Sequence, residues 1–143
     1  MSQVVLKNVD GITFVGHGKS NHWVAMDGSQ NFGGSEAASS PMELFLISLG
    51  GCSGMDVASL LKKMRVDYDK LEIHIDSERA EDHPKVYTRI DVTYKFWGKN
   101  LESNKAKIEK AVNSSQDKYC SVSAMIRAAN IPLNHSYELN KTE

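Results

Sequence analysis

The stretch Ser40–Met64, SPMELFLISLGGCSGMDVASLLKKM, predicts the element around which the chain folds. Ser40 is a favourable N-cap, Pro41 takes the first helical position, and Glu43 completes an S-x-x-E capping box. Apolar side chains then occur on every side of the predicted helix instead of along one stripe. Such a helix is either buried or spans a membrane, and the strongest apolar run, residues 44–49, is far shorter than the roughly 20 residues of a span. We therefore predict a long buried core helix and no membrane partner.

A cysteine, Cys52, lies in the middle of this helix, directly after Gly50 and Gly51. Each glycine costs about 1 kcal/mol relative to alanine in a helix interior, so the pair indicates that another backbone or a ligand approaches closely. Six residues share the face of Cys52 at about 100° per residue: Phe45, Ser48, Leu49, Met55, Asp56 and Ser59. Cys52 is therefore either a small buried hydrophobe, as most free cysteines are, or a thiol that a ligand can reach.

Length and composition indicate one ordinary globular domain over residues 1–143, with 41% hydrophobic and 24% charged residues. The net charge of -1 and the lack of a basic stripe exclude a typical nucleic-acid partner. The N-terminal sequence lacks an apolar signal core, and two cysteines suit a reducing compartment, so we expect a cytoplasmic protein. His17 and His22 have no HxH or CxxC companion, so we expect neither a metal nor a cofactor.

The rest of the chain alternates between strand-like and helix-like segments. Hydrophobic periodicity predicts three short strands before the central helix, a pair of strands after it, two helices, and one closing edge strand. In order, these segments are Val4–Leu6, Ile12–Val15, Trp23–Met26, Leu71–Ser77, Lys85–Trp97, Leu101–Ser115, Asp117–Ala129 and Ile131–Leu139. We therefore predict an α+β fold with antiparallel sheet packed on helices.

The second cysteine, Cys120, falls near the start of a predicted helix. If Asp117 is the N-cap, Cys120 occupies the third helical position, where the positive end of the helix dipole lowers the pKa of a thiol. Lys118 adds a cation close by. The sequence thus predicts that Cys120 has a lowered pKa.

Three segments together resemble the OsmC/Ohr superfamily of thiol peroxidases: SPMELFLISLGGC (40–52), HPKVYTRIDVTY (83–94) and KYCSVSAMI (118–126). The resemblance covers essentially the whole chain, and the spacing between the cysteines also suits the family. It implies an intertwined homodimer whose antiparallel sheets wrap around the two central helices. It also implies that Cys52 is the peroxidatic cysteine and Cys120 the resolving one, in an enzyme that reduces an organic hydroperoxide to its alcohol and is reset by a thiol reductant.

The residue types agree with this chemistry. A thiolate attacks the O–O bond and becomes a sulfenic acid, which a nearby thiol converts to a disulfide before irreversible oxidation. Phe45, Leu49 and Met55 around Cys52 are candidates for an apolar substrate pocket, although plain core packing explains each of them equally well.

The sequence departs from the family pattern at two positions. The family's peroxidases carry a carboxylate directly after the helix-opening proline, where this chain has Met42, and Glu43 is more simply interpreted as the capping partner of Ser40. They also take an arginine from the N-terminal strands, whereas no arginine precedes Arg65 here. Arg79 is the candidate replacement, unless it is an exposed strand-end residue. These departures leave a second function open, a dimer that binds a small apolar or thiol-containing ligand and senses redox state.

Overall fold

The computed structural model describes residues 3–142. The strands and helices, in chain order, are β1 (Val5–Asp10), β2 (Thr13–His17), β3 (Val24–Met26), α1 (Pro41–Lys63), β4 (Lys70–Arg79), β5 (Tyr87–Trp97), α2 (Lys105–Ser114), α3 (Ser121–Ala128) and β6 (Leu133–Asn140). Short 3₁₀ turns occur at Gln30–Phe32 and Glu102–Asn104, and one π-helical turn occurs at Ser115–Tyr119. This order confirms the predicted α+β class. The chain divides into two compact units, residues 1–47 and 48–143.

The first unit carries the predicted antiparallel meander. Strand β2 lies between β1 and β3 and pairs with both in the antiparallel sense. The turn between β1 and β2 uses Gly11 at a φ of 50°, a left-handed conformation that glycine adopts without a steric penalty. The Asn8 side chain donates to the Gly11 carbonyl at 2.9 Å and closes this turn. The dipeptide Asp10-Gly11 is a common sequence signal for such a hairpin turn.

The start of α1 has the geometry that its capping box predicts. The Ser40 backbone N–H donates to Glu43 Oε2 at 2.7 Å, and the Glu43 backbone N–H donates to Ser40 Oγ at 3.3 Å. Two N–H groups that the helix leaves unpaired are satisfied in this way. The hydrogen bond to Ser40 also holds the pKa of the Glu43 carboxyl below its usual value.

The prediction that α1 is buried on every side is wrong within a single chain. One stripe, Leu49, Ser53, Val57 and Leu61, is fully buried. Ile47 and Met55 instead expose 58% and 71% of their surface. By length and apolar content α1 would also suit a membrane span, but the core helices of soluble proteins can have the same length and composition. One chain thus covers only part of the apolar surface of this helix.

The second unit contains a three-stranded sheet of order β4-β5-β6. Strands β4 and β5 form the predicted antiparallel hairpin, with Ile73 opposite Tyr94. Strand β6 pairs with β5 in the parallel sense, so this sheet is mixed and not purely antiparallel as predicted. Strand β6 is parallel to β5 because α2 and α3 carry the chain back to the end of the sheet at which β5 began.

Strand β5 contains a β-bulge near its start. Glu78 pairs with Arg89 and Arg79 pairs with Tyr87, so the pairing skips Thr88. The extra residue changes the side-chain alternation, which buries Tyr87 and leaves Val86 exposed. Val86 and Thr88 therefore do not share the buried face of Ile90 and Val92.

Glycines in α1 allow the sheet to pack closely against the helix. A Cβ atom at Gly50 would lie 3.2 Å from Ile75 Cδ1, and one at Gly54 would lie 2.6 Å from Ile73 Cδ1. Around Gly51, by contrast, no described neighbour outside the local helix lies within 4 Å of such an atom. The close approach is therefore made by isoleucine side chains of β4 at Gly50 and Gly54, whereas the prediction was of another backbone or a ligand at Gly50 and Gly51.

Candidate active site

The two cysteines lie side by side in the second unit. Cys52 is in the middle of α1 and Cys120 immediately precedes α3. Cys52 Sγ, Cys120 Sγ and a carboxylate oxygen of Asp56 all lie within 4.8 Å of one another. Both cysteines are free thiols. A modest movement would bring the sulfurs to the roughly 2.0 Å of a disulfide bond, so the geometry permits the two thiols to react with each other.

The surroundings of Cys120 differ from those predicted. Asp117 belongs to the π-helical turn, and Cys120 itself is the N-cap of α3, where its sulfur accepts a hydrogen bond from the Ser123 N–H at 3.4 Å. Burial raises the pKa of the Cys120 thiol, and the neighbouring Cys52 raises it further, while Ser123 acts in the opposite direction. The predicted lowering of this pKa is therefore wrong, because desolvation of a thiol that is only 2% exposed outweighs the helix terminus.

Asp56 lies beside both cysteines, a position that the sequence did not predict. It follows Cys52 by four positions, so both side chains project from one face of α1. Its Oδ2 accepts a hydrogen bond from Ser115 Oγ at 3.2 Å. The available signal was this i, i+4 spacing of a thiol and a carboxylate, but the approach of Cys120 depends on tertiary structure.

A buried polar network lies beneath the cysteines. Ser53 Oγ is hydrogen-bonded to the Tyr94 hydroxyl and, at 2.7 Å, to Ser115 Oγ. Gln116 Nε2 donates to the Tyr94 hydroxyl at 2.6 Å. Burial is the main reason that the pKa of Tyr94 is raised, so this hydroxyl stays protonated. The network fixes the turn that leads into Cys120, whose own N–H donates to the Ser115 carbonyl at 2.8 Å.

The guanidinium of Arg127 on α3 binds Gln116, which belongs to this network. It donates to the Gln116 backbone carbonyl and, at 3.2 Å, to Gln116 Oε1. Asp117 Oδ1 lies 4.0 Å from the same guanidinium. This arginine was also missed, because the sequence pattern of the last helix gives no sign of a polar partner.

The two predicted charge partners have local structural contacts. Arg79 ends β4, donates from Nε to the Lys85 carbonyl at 2.7 Å and lies over the ring of Tyr87. Glu43 caps α1 as described above. Their proposed roles toward Cys52 stay predictions.

The predicted pocket residues have unequal environments. Leu49 is fully buried in the core, whereas Phe45 and Met55 are exposed. A shallow cleft of about 140 Å³ opens next to Asp56 and gives access to this part of α1. It is lined by Asp56, Ser59, Leu60, Lys63 and Tyr119.

The α+β fold with two neighbouring free thiols places this chain among thiol-bearing α+β proteins. Comparison with known proteins identifies the family. The family model described as OsmC-like protein matches residues 33–136, and the chain belongs to this family. Protein YhfA of Escherichia coli (strain K12) is 39% identical over 137 residues, which are 96% of this chain and 97% of that protein.

Solved structures agree on the fold. The structure of a hypothetical protein from Aquifex aeolicus VF5 is 34% identical, has a TM-score of 0.83, and is matched over 100% of this chain and 98% of that one. The organic hydroperoxide resistance protein OhrB of Bacillus subtilis is 18% identical, with a TM-score of 0.59 and 98% coverage of both chains. The latter likeness shows the fold alone. The predicted OsmC/Ohr relationship and OsmC-like fold are confirmed.

Proposed function

We propose that this chain is a thiol-dependent hydroperoxide reductase that uses Cys52 and Cys120. The observation that carries the proposal is the placement of the two free sulfurs within 4.8 Å of each other. Membership of the OsmC-like family and the fold shared with a protein named for organic hydroperoxide resistance support an organic hydroperoxide as substrate.

The two cysteines have different roles in this proposal. Cys52 is partly exposed while Cys120 is buried, so Cys52 is the thiol that peroxide reaches. Its thiolate attacks one peroxide oxygen, the O–O bond breaks, and the departing alkoxide takes a proton to become the alcohol. The sulfenic acid then condenses with Cys120, which releases water and forms the disulfide. An external thiol reductant restores both thiols by exchange.

Assembly is part of the same proposal. The exposed apolar side chains of α1, including Ile47 and Met55, and the open space at Gly51 favour a second copy packed against this helix. An apolar helix left half covered is unfavourable in water, so we propose a homodimer with an interface of at least standard size. Two reduced cysteines also suit the cytoplasm.

A second candidate function is favoured by the electrostatics of the site. Burial raises the pKa of Cys120, which disfavours its thiolate. A dimer that binds a small apolar or thiol-containing molecule, with the cysteines acting as a slow redox sensor, would tolerate this.

Titration of the reduced protein with cumene hydroperoxide distinguishes the two functions. A peroxidase loses two thiols for each peroxide consumed and turns over repeatedly when a dithiol reductant is added. A binding protein keeps its thiols when peroxide is in modest excess over the chain. Cys52→Ser is the negative control and should consume no peroxide.

A further inference from the structure

We propose that Cys52, Asp56 and Cys120 form a zinc site when both cysteines are reduced. The donor set is two sulfurs and one carboxylate oxygen. Cys52 and Asp56 lie within α1, and Cys120 is the N-cap of α3. The proposal departs from the expectation of no metal, which considered only histidine pairs and short cysteine motifs. It goes beyond the proposed peroxidase function and does not rest on it, because binding requires only reduced thiols.

The distances suit a tetrahedral ion. Zinc binds sulfur at about 2.3 Å and carboxylate oxygen at about 2.0–2.2 Å, so neighbouring ligand atoms are roughly 3.3–3.8 Å apart. The three donor atoms already lie within 4.8 Å of one another, so rotations of the side chains suffice to close the site. Two of the ligands are four residues apart on one helix, which fixes their relative position.

Neighbouring groups support two of the three ligands, Asp56 and Cys120. Ser115 donates to Asp56 Oδ2 and orients the carboxylate, as second-layer hydrogen bonds commonly do at metal sites. The Ser123 N–H donates to Cys120 Sγ and would stabilise a metal-bound thiolate. The Ser123 hydroxyl is buried and has no hydrogen-bond partner within residues 3–142.

The site also has an opening and a chemical preference. Asp56 lines a cleft and Cys52 is partly exposed, so these two ligands are open to solvent. A tetrahedral zinc would keep its fourth position for water or for an exogenous thiol. Two soft sulfur ligands favour zinc over magnesium or calcium, which prefer oxygen.

Zinc would couple this site to redox state. Binding displaces the protons of the two thiols and holds both sulfurs on the metal. When a hydroperoxide oxidises the site, the two thiolates lose two electrons and form a disulfide. The hydroperoxide takes these electrons and two protons to give an alcohol and water, and Zn²⁺ is released.

The test is a titration of the reduced, full-length protein with Co²⁺ and Zn²⁺ alone. We expect one ion per chain, a sulfur-to-cobalt charge-transfer band, and competition by Zn²⁺ measured with a chromophoric chelator. Cys52→Ser, Asp56→Asn and Cys120→Ser should each weaken binding by at least about tenfold. Asp67→Asn is the matched control, since it removes an exposed carboxylate outside the site and should change nothing.

Thermal unfolding of each variant without metal separates lost binding from lost folding. In the unmutated protein, Zn²⁺ should protect both thiols from alkylation, a measurement that needs no variant. Absence of the charge-transfer band in the unmutated reduced protein would overturn the proposal, as would unweakened binding in Asp56→Asn. Neither readout involves peroxide, so failure of the peroxidase function leaves this result unaffected.

Discussion

Ser115 donates a hydrogen bond to Asp56 at 3.2 Å and thereby ties the turn before Cys120 to the helix that carries Cys52. The same hydroxyl bonds Ser53 Oγ at 2.7 Å inside the core. A single buried serine thus links the two halves of the site.

Replacing Ser115 with alanine should destabilise the fold. The change removes the hydrogen bonds that Ser115 makes to the buried Ser53 hydroxyl and to the half-buried Asp56 carboxylate, which costs about 1–3 kcal/mol in free energy of unfolding. Urea denaturation of the reduced protein measures this loss. Ser114→Ala, on the preceding and less buried position, is the control and should stay within about 0.5 kcal/mol of the unmutated protein. Equal effects of the two variants would contradict the linking role.

Acid should loosen the loop between β3 and α1 through Asp27. Its carboxylate accepts hydrogen bonds from the N–H groups of Gly28, Ser35 and Ala37, at 2.8, 3.1 and 3.1 Å. The Ala37 bond contributes most to holding the pKa of Asp27 below its usual value. A lowered folded-state pKa means that the stabilisation is complete above the unfolded-state value of about 3.9 and is lost as the pH falls through the folded-state value.

Amide hydrogen exchange of residues 28–37 provides the measurement. In Asp27→Asn these amides should exchange faster than in the unmutated protein near neutral pH, and the difference should shrink in strong acid. Asp10→Asn is the control and should leave the loop unchanged. A difference that grew on acidification would contradict this role of the carboxylate.

The proposed dimer can be tested at Gly51, where an added side chain would start in open space, because no described neighbour outside the local helix lies within 4 Å of its Cβ position. Gly51→Leu should therefore preserve the fold of a single chain but obstruct a second α1 helix. Light scattering should show a dimer for the unmutated protein and a substantially dissociated one for this variant. Ala106→Leu, an exposed position on α2, should remain dimeric. A stable monomer of the unmutated protein at micromolar concentration would contradict the proposed assembly.

Removing the resolving thiol should change the fate of Cys52. Cys120→Ser should still allow one turnover and then accumulate sulfinic or sulfonic acid at Cys52, because nothing traps the sulfenic acid. Cys52→Ser should leave Cys120 unoxidised. Intact mass followed by peptide mapping after peroxide treatment measures both outcomes. Added oxygens that map to methionines alone would contradict the assignment of Cys52.

Local sequence signals predicted the fold well where the determining contacts are local. The capping box from Ser40 to Glu43 and the turn at Gly11 involve neighbouring residues, and both have the expected geometry. The parallel direction of β6 depends on the path of the whole α2–α3 connection. No hydrophobic period encodes that direction, so the prediction of a purely antiparallel sheet was wrong.

The site was predicted only in part for the same reason. Cys52 and Cys120 were identified by the family resemblance, and the structure places them together. The effect of burial on Cys120 and the approach of Asp56 arise from tertiary packing between α1 and the residues before α3. Sequence spacing placed Asp56 on the face of Cys52 but could not reveal that the second thiol lies there too.

The most direct test of the cysteine pair is a disulfide map of the reduced protein after one equivalent of cumene hydroperoxide. The proposed mechanism predicts a mass lower by about two units, from the loss of two hydrogens, and a single bridge between Cys52 and Cys120. If both thiols remain fully alkylatable while the peroxide is consumed or persists, the two cysteines are not a peroxidatic pair.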